Sequence, residues 1–135
     1  MILNELYDMV NKDLEIDKTE LDTESLRTPQ IHNKYLILHS KEKLKLEHVL
    51  SEKKVKRRNK WLYYTGKMSQ EDLDRFGWEP FDLVILKTEV DRFVESDEEM
   101  IKLSAKITLQ EEVVSYLESV VKMISNRQWN IRAAL

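Results

Sequence analysis

The chain has 135 residues, 41% hydrophobic and 35% charged, with a net charge of −3, which is enough material for one domain with a modest core. The absence of Cys excludes disulfides and thiolate metal sites and fits a reducing compartment. Two Gly and two Pro, set against many Leu, Lys and Glu, favour long helices over strands and turns.

In chain order, Ile2, Leu3, Leu6, Met9 and Val10 form the first apolar period and predict a short amphipathic helix ending near Lys12 or Asp13. This start carries neither the basic flank nor the apolar block of a secretion signal, and no stretch approaches a membrane span. A soluble intracellular protein is therefore expected, with no membrane partner. A connector from Leu14 to about Arg27 follows. Thr28-Pro29 then reads as an N-cap with proline at the first helical position. No further Gly or Pro occurs before Gly66, which suits a left-handed helix stop. The implied helix is about 37 residues, near 55 Å at roughly 1.5 Å per residue. A protein this small cannot cover that length, so part of the helix projects or meets another subunit.

Ile31, Tyr35, Leu38, Leu46, Val49 and Leu50 give this helix a buried stripe, which fades over Ser51 to Lys60, where Val55 is the one apolar residue. Residues 67–82 hold Gly77, Pro80 and five acidic groups and read as a loop. Phe81 to Leu86 reads as packed coil or a helix start. Ser96 with Glu99 three positions on suits a capping box. A heptad-like run follows: Met100, Leu103, Ile107, Gln110, Val114, Leu117, Val121, Ile124, Gln128, Ile131. The pattern does not separate an intramolecular seam from an intersubunit one. Val113, Tyr116 and Val120 widen it and favour higher assembly. Ile107, Val114, Leu117, Val121, Ile124 and Ile131 are therefore the expected oligomerisation residues. The expected architecture is all-α: a short N-terminal helix, one long basic helix, a loop, and a long C-terminal heptad-like helix or helices in an oligomeric helical assembly. It forms a single domain over 1–135, with a basic segment at about 53–67 and an assembly segment at about 96–135.

The small net charge hides a sharp asymmetry. Residues 1–33 balance to −5, residues 34–67 to +8 and residues 68–135 to −6. The middle block creates a local positive field between acidic flanks suited to protein partners. Six of the eight residues from Lys53 to Lys60 are cationic, and aromatic residues follow at once. Cations supply phosphate affinity through counterion release, and aromatic faces stack unpaired bases without sequence preference. Lys53, Lys54, Lys56, Arg57, Arg58, Lys60 and Lys67, with Trp61 and Tyr64, are the candidate DNA-binding residues. A basic run can equally be a solvated helix face. Trp61, Tyr63 and Tyr64 serve either as stacking faces or as core, with core the better reading for the two tyrosines. A membrane-surface helix would need an apolar face, which Val55 alone does not make.

Catalysis finds little support. His32, His39 and His48 do not share one helix face, and no HExxH pattern occurs. Glu95, Asp97, Glu98 and Glu99 suit a helix N-terminus, and Gly66 and Gly77 are too far apart to form a phosphate loop. No catalytic residue, metal site or cofactor is expected.

Lys53-Lys54-Val55, Arg58, Lys60 and Tyr63-Tyr64-Thr65-Gly66-Lys67 resemble the UvsY family of T-even-type phage recombination mediators. Lys12-Asp13, Ile16-Asp17, Pro29-Gln30-Ile31-His32, Lys34-Tyr35 and Ile124-Ser125-Asn126-Arg127 extend the resemblance along nearly the whole chain. The resemblance implies a helical, non-enzymatic protein that forms a ring-like homo-oligomer of about six or seven subunits. It implies binding to single-stranded DNA, to a RecA-like phage recombinase (UvsX type) and to the phage single-stranded-DNA-binding protein, in the host cytoplasm. It also implies loading of that recombinase onto DNA covered by the single-stranded-DNA-binding protein, in recombination-dependent replication and repair. The family's basic DNA-contact pair falls on Arg58 and Lys60, with Lys and Arg types exchanged. Family members continue beyond the Asn126-Arg127 region with a longer helix used in assembly. This chain ends in Ala133-Ala134-Leu135, which leaves the subunit number open. The competing readings are a helical structural or adaptor protein with a solvated basic face, and a helical regulator of duplex DNA. The second would need a compact turn between short helices, whereas the basic run lies inside one long helix.

Overall fold

A computed structural model describes residues 2–134; Met1 and Leu135 lie outside the described residues. Five helices and no strand occur among them: α1 (Leu3–Asp13), α2 (Leu21–Tyr64), α3 (Gln70–Phe76), α4 (Lys87–Glu95) and α5 (Glu98–Ala134). None is long and apolar enough to cross a membrane. The chain divides into two compact units, Met1–Leu46 with Gln110–Leu135, and Glu47–Leu109.

In the first unit, Leu6 and Val10 of α1, Ile31 and Tyr35 of α2, and Val113, Leu117, Val120 and Ile124 of α5 form one buried cluster. The buried spacing on α5 follows the 3.6-residue helical period. Val113 and Val120 are therefore buried, while Val114 and Val121 stay half-buried. Leu117 and Ile124, expected at a subunit seam, are both fully buried against this chain's own α1 and α2. Ile131, in this unit, and Ile107, in the other, are also buried within the single chain. Gln110 fills its seam position with a polar bridge, its Nε2 donating to the Glu42 carbonyl and carboxylate, each at 2.9 Å.

The long helix starts at Leu21 rather than at Pro29, so Pro29 sits inside it. Thr28 is not a cap; its hydroxyl donates to the Glu24 carbonyl at 2.7 Å. A proline inside a helix removes one backbone hydrogen bond and crowds the previous turn. Tertiary ion pairing holds the upstream turns. Glu24 is buried, paired with Arg127 of α5 and with Arg27 at 3.0 Å. Arg27 and Arg127 also donate to the Asp13 carbonyl at 3.0 and 2.9 Å, tying down the α1–α2 connector.

In the second unit, α2 ends where Gly66 adopts φ 71°, with Lys67 N–H donating to the Leu62 carbonyl at 2.9 Å and Gly66 N–H to Tyr63 at 3.1 Å. This is the Schellman stop. The expected loop over 67–82 contains a further helix, α3, capped by Ser69, whose side chain accepts from the Asp72 N–H, and ended by Gly77 at φ 70°. The residues of 78–86 are coil, and α4 follows. The α5 cap is Asp97, not Ser96. Asp97 Oδ1 accepts from the Glu99 and Met100 N–H groups at 2.9 and 3.1 Å. Ser96 instead closes α4, its hydroxyl donating to the Arg92 carbonyl.

Candidate nucleic-acid interface

The second half of α2 carries cations on two faces with different surroundings. Lys53, Lys54, Arg57, Arg58 and Trp61 recur at helical spacing and share one face. Lys54, Arg57, Arg58 and Trp61 are exposed, and Lys53 is half-exposed. Among the described residues, the carboxylate nearest this face is Asp91, 3.8 Å from Arg57. Lys53/Arg57 and Lys54/Arg58 are like-charged pairs at i,i+4, which destabilise a helix by about 0.2–0.5 kcal/mol each. That repulsion remains within the protein and is relieved when an anion lies along the face.

Lys60 and Lys56 lie at the edge of this face, beside Lys53 in the helical register, and reach carboxylates instead. Lys60 is only 4% exposed, with Nζ 3.0 Å from Asp97 Oδ2 and 2.6 Å from Glu99 Oε2. The same ammonium lies 3.8 Å from the Trp78 ring centroid, a cation–π contact. Lys56 is half-exposed and reaches Glu99 at 4.0 Å. Lys60 thus stands apart from the outward basic face.

The aromatic residues divide in the same way. Tyr64 donates to Asp97 Oδ2 at 2.6 Å, and Tyr63 to the Glu79 carbonyl at 2.6 Å. Both rings pack with Phe81, and Tyr64 also meets Phe93. Burial and the Asp97 hydrogen bond push the Tyr64 hydroxyl well above its ordinary pKa. Trp61 is the aromatic that stays outward, 40% exposed, with Lys67 Nζ 4.9 Å from its ring centroid. The Gly66 turn brings Lys67 back over that ring.

Asp97, Glu99 and Trp78 enclose Lys60 but have no local sequence signal that links them to it. They lie 18 to 39 positions further along the chain. Among the described residues, no group of three or more His, Asp or Glu side chains is placed to hold a metal ion.

Residues 9–135 match the family described as "Recombination, repair and ssDNA binding protein UvsY". The chain is similar to the recombination protein uvsY of Enterobacteria phage T4, at 24% identity over 132 residues, covering 98% of this chain and 91% of that protein. Its fold is similar to the crystal structure of the bacteriophage T4 recombination mediator protein UvsY in lattice type II, with a TM-score of 0.86 and 22% identity over 99% of this chain and 93% of that one. The lattice type IV structure also gives a TM-score of 0.86, at 21% identity, covering 99% of this chain and 95% of that one.

Proposed function

Because the chain belongs to the UvsY family of recombination, repair and single-stranded-DNA-binding proteins, we propose that it is a non-enzymatic mediator that holds single-stranded DNA along the outward face of α2. In this reading Lys53, Lys54, Arg57 and Arg58 contact phosphates, and Trp61 offers a stacking face. Lys67 extends the track, Lys56 contributes from its edge, and Lys60 and Tyr64, held by Asp97, fix the end of the helix. The observation that carries the reading is the concentration of outward cations, left in mutual repulsion, beside an exposed tryptophan. Bound there, the strand is loaded with a RecA-like phage recombinase in place of the phage single-stranded-DNA-binding protein, in recombination-dependent replication and repair in the host cytoplasm.

A homo-oligomer of about six or seven subunits would repeat the patch along one strand and raise its effective concentration. Outward apolar residues on the Met1–Leu46 with Gln110–Leu135 unit, including Leu36, Ile37, Met123 and Trp129, support subunit contacts.

Fluorescence anisotropy with labelled single and double strands tests the DNA reading. Preferential, salt-sensitive binding of the single strand is expected. Failure to bind either strand would leave the basic face merely solvated, as in an adaptor protein. Recombinase filament formation on strands pre-covered with single-stranded-DNA-binding protein tests the loading step, and this chain should shorten its lag.

A further inference from the structure

Beside the basic face, the Gly66 turn and the coil before α4 enclose a cleft of about 450 Å³. Its walls include Trp61, Tyr64, Phe81, Ile85 and Val90, with two exposed lysines, Lys67 and Lys87. Neither lysine is paired with a carboxylate among the described residues, though Asp82 also lines the cleft. Three apolar residues of the coil, Leu83, Val84 and Leu86, are strongly exposed, and Leu83 and Val84 line the same cleft. Apolar surface left in water next to unpaired cations fits a ligand with a flat apolar body and an anionic backbone. A nucleotide of a single strand has both.

We propose that this cleft captures one unstacked base of the strand held on α2, laid against the Trp61 ring, while Lys67 and Lys87 take the flanking phosphates. The inference rests on the single-strand reading of the basic face. Trp61 belongs both to that face and to the cleft, so a strand following Lys54, Arg57 and Arg58 arrives at its mouth. In the free protein Lys67 covers the Trp61 ring at 4.9 Å. Base entry exchanges this cation–π contact for a stack, and releases the ammonium to a phosphate. The Asp82 carboxylate, an acceptor only, is available to an N–H on the edge of the base.

The test compares a base-bearing single strand with an abasic strand of the same length and charge, by anisotropy across a salt series. The full wild-type chain should bind the base-bearing strand more tightly by roughly 5- to 150-fold, the range expected for one base–aromatic stack. Trp61→Leu should lose that advantage, its affinity for the base-bearing strand falling to that for the abasic one. Lys87→Ala should lower the slope by about 0.7 on the base-bearing strand. Equal, salt-sensitive wild-type binding to both strands overturns the cleft and the Trp61 stack and leaves the phosphate contacts of the basic face intact. Absence of binding to either strand overturns the basic face and the cleft together.

Discussion

Lys60 and Arg58 stand two residues apart on α2, and their surroundings give them different work. Arg58 is exposed with no ion pair among the described residues, whereas Lys60 is enclosed by Asp97, Glu99 and Trp78. Removing one partner of a buried ion pair leaves the other uncompensated, which costs about 3–5 kcal/mol. Urea denaturation of Lys60→Ala should show a loss of that size, while Arg58→Ala should stay within about 0.5 kcal/mol of wild type. Equal stabilities would remove Lys60 from its structural role. The same cluster sets a pH dependence. Burial raises the Asp97 carboxyl, but hydrogen bonds from Tyr64 and Lys60 more than offset this and hold it below its ordinary value. The Lys60 hydrogen bond chiefly lowers Glu99 as well. A depressed carboxylate stabilises the fold above its unfolded pKa, and that contribution is lost as pH falls through the folded value. The stability gap between wild type and Asp97→Asn should be full near about pH 6 and shrink towards about pH 3. A gap that does not change with pH would contradict this assignment.

At the scale of elements, α2 shows what local sequence can and cannot specify. Its stop is local: Gly66 reaches φ 71° and Lys67 closes the turn, so a glycine ending a long run without breakers was sufficient signal. Its start is not local. Glu24 is held by Arg127, 103 positions away, and that pair carries the helix back through Pro29 to Leu21. Pro29→Ala would restore one backbone N–H inside the helix and should raise stability, by up to about 3 kcal/mol. A lower melting temperature would show that the proline is needed where it stands. On α5 the apolar period was legible, but its partner was not. The 3.6-residue repeat buries Val113, Leu117, Val120 and Ile124 against α1 and α2, and nothing in periodicity distinguishes that from a neighbouring subunit. Helix α3 was signalled by Ser69 and Gly77, yet its acidic composition resembled a loop. For the basic face, charge density was plain in the sequence. The division between outward Arg58 and inward Lys60 depends on where Asp97 and Trp78 fall in space.

For the whole molecule, the +8 block of residues 34–67 lies within a chain of net charge −3, so positive charge is concentrated on one stretch. In the proposed reading one subunit would offer only a few phosphate contacts, which would give weak binding alone. In the proposed assembly, repetition of the patch would raise avidity by roughly 10²–10⁴. Met123→Asp with Trp129→Asp places charges on outward apolar positions and should lower the subunit number while the fold is kept. Wild-type affinity should then climb with oligonucleotide length, and the variant's should barely change. Parallel length dependence in the two proteins would separate assembly from DNA avidity.

The salt dependence of single-strand affinity tests the basic face most directly. Each phosphate contact contributes about 0.7 to the slope of log affinity against log salt on a single strand. Lys54→Ala, Arg57→Ala and Arg58→Ala combined should therefore reduce the magnitude of that slope by about 2 per bound subunit, with the helical content unchanged. A combined variant that folds, binds and keeps the wild-type slope would show that DNA does not lie along this face of α2.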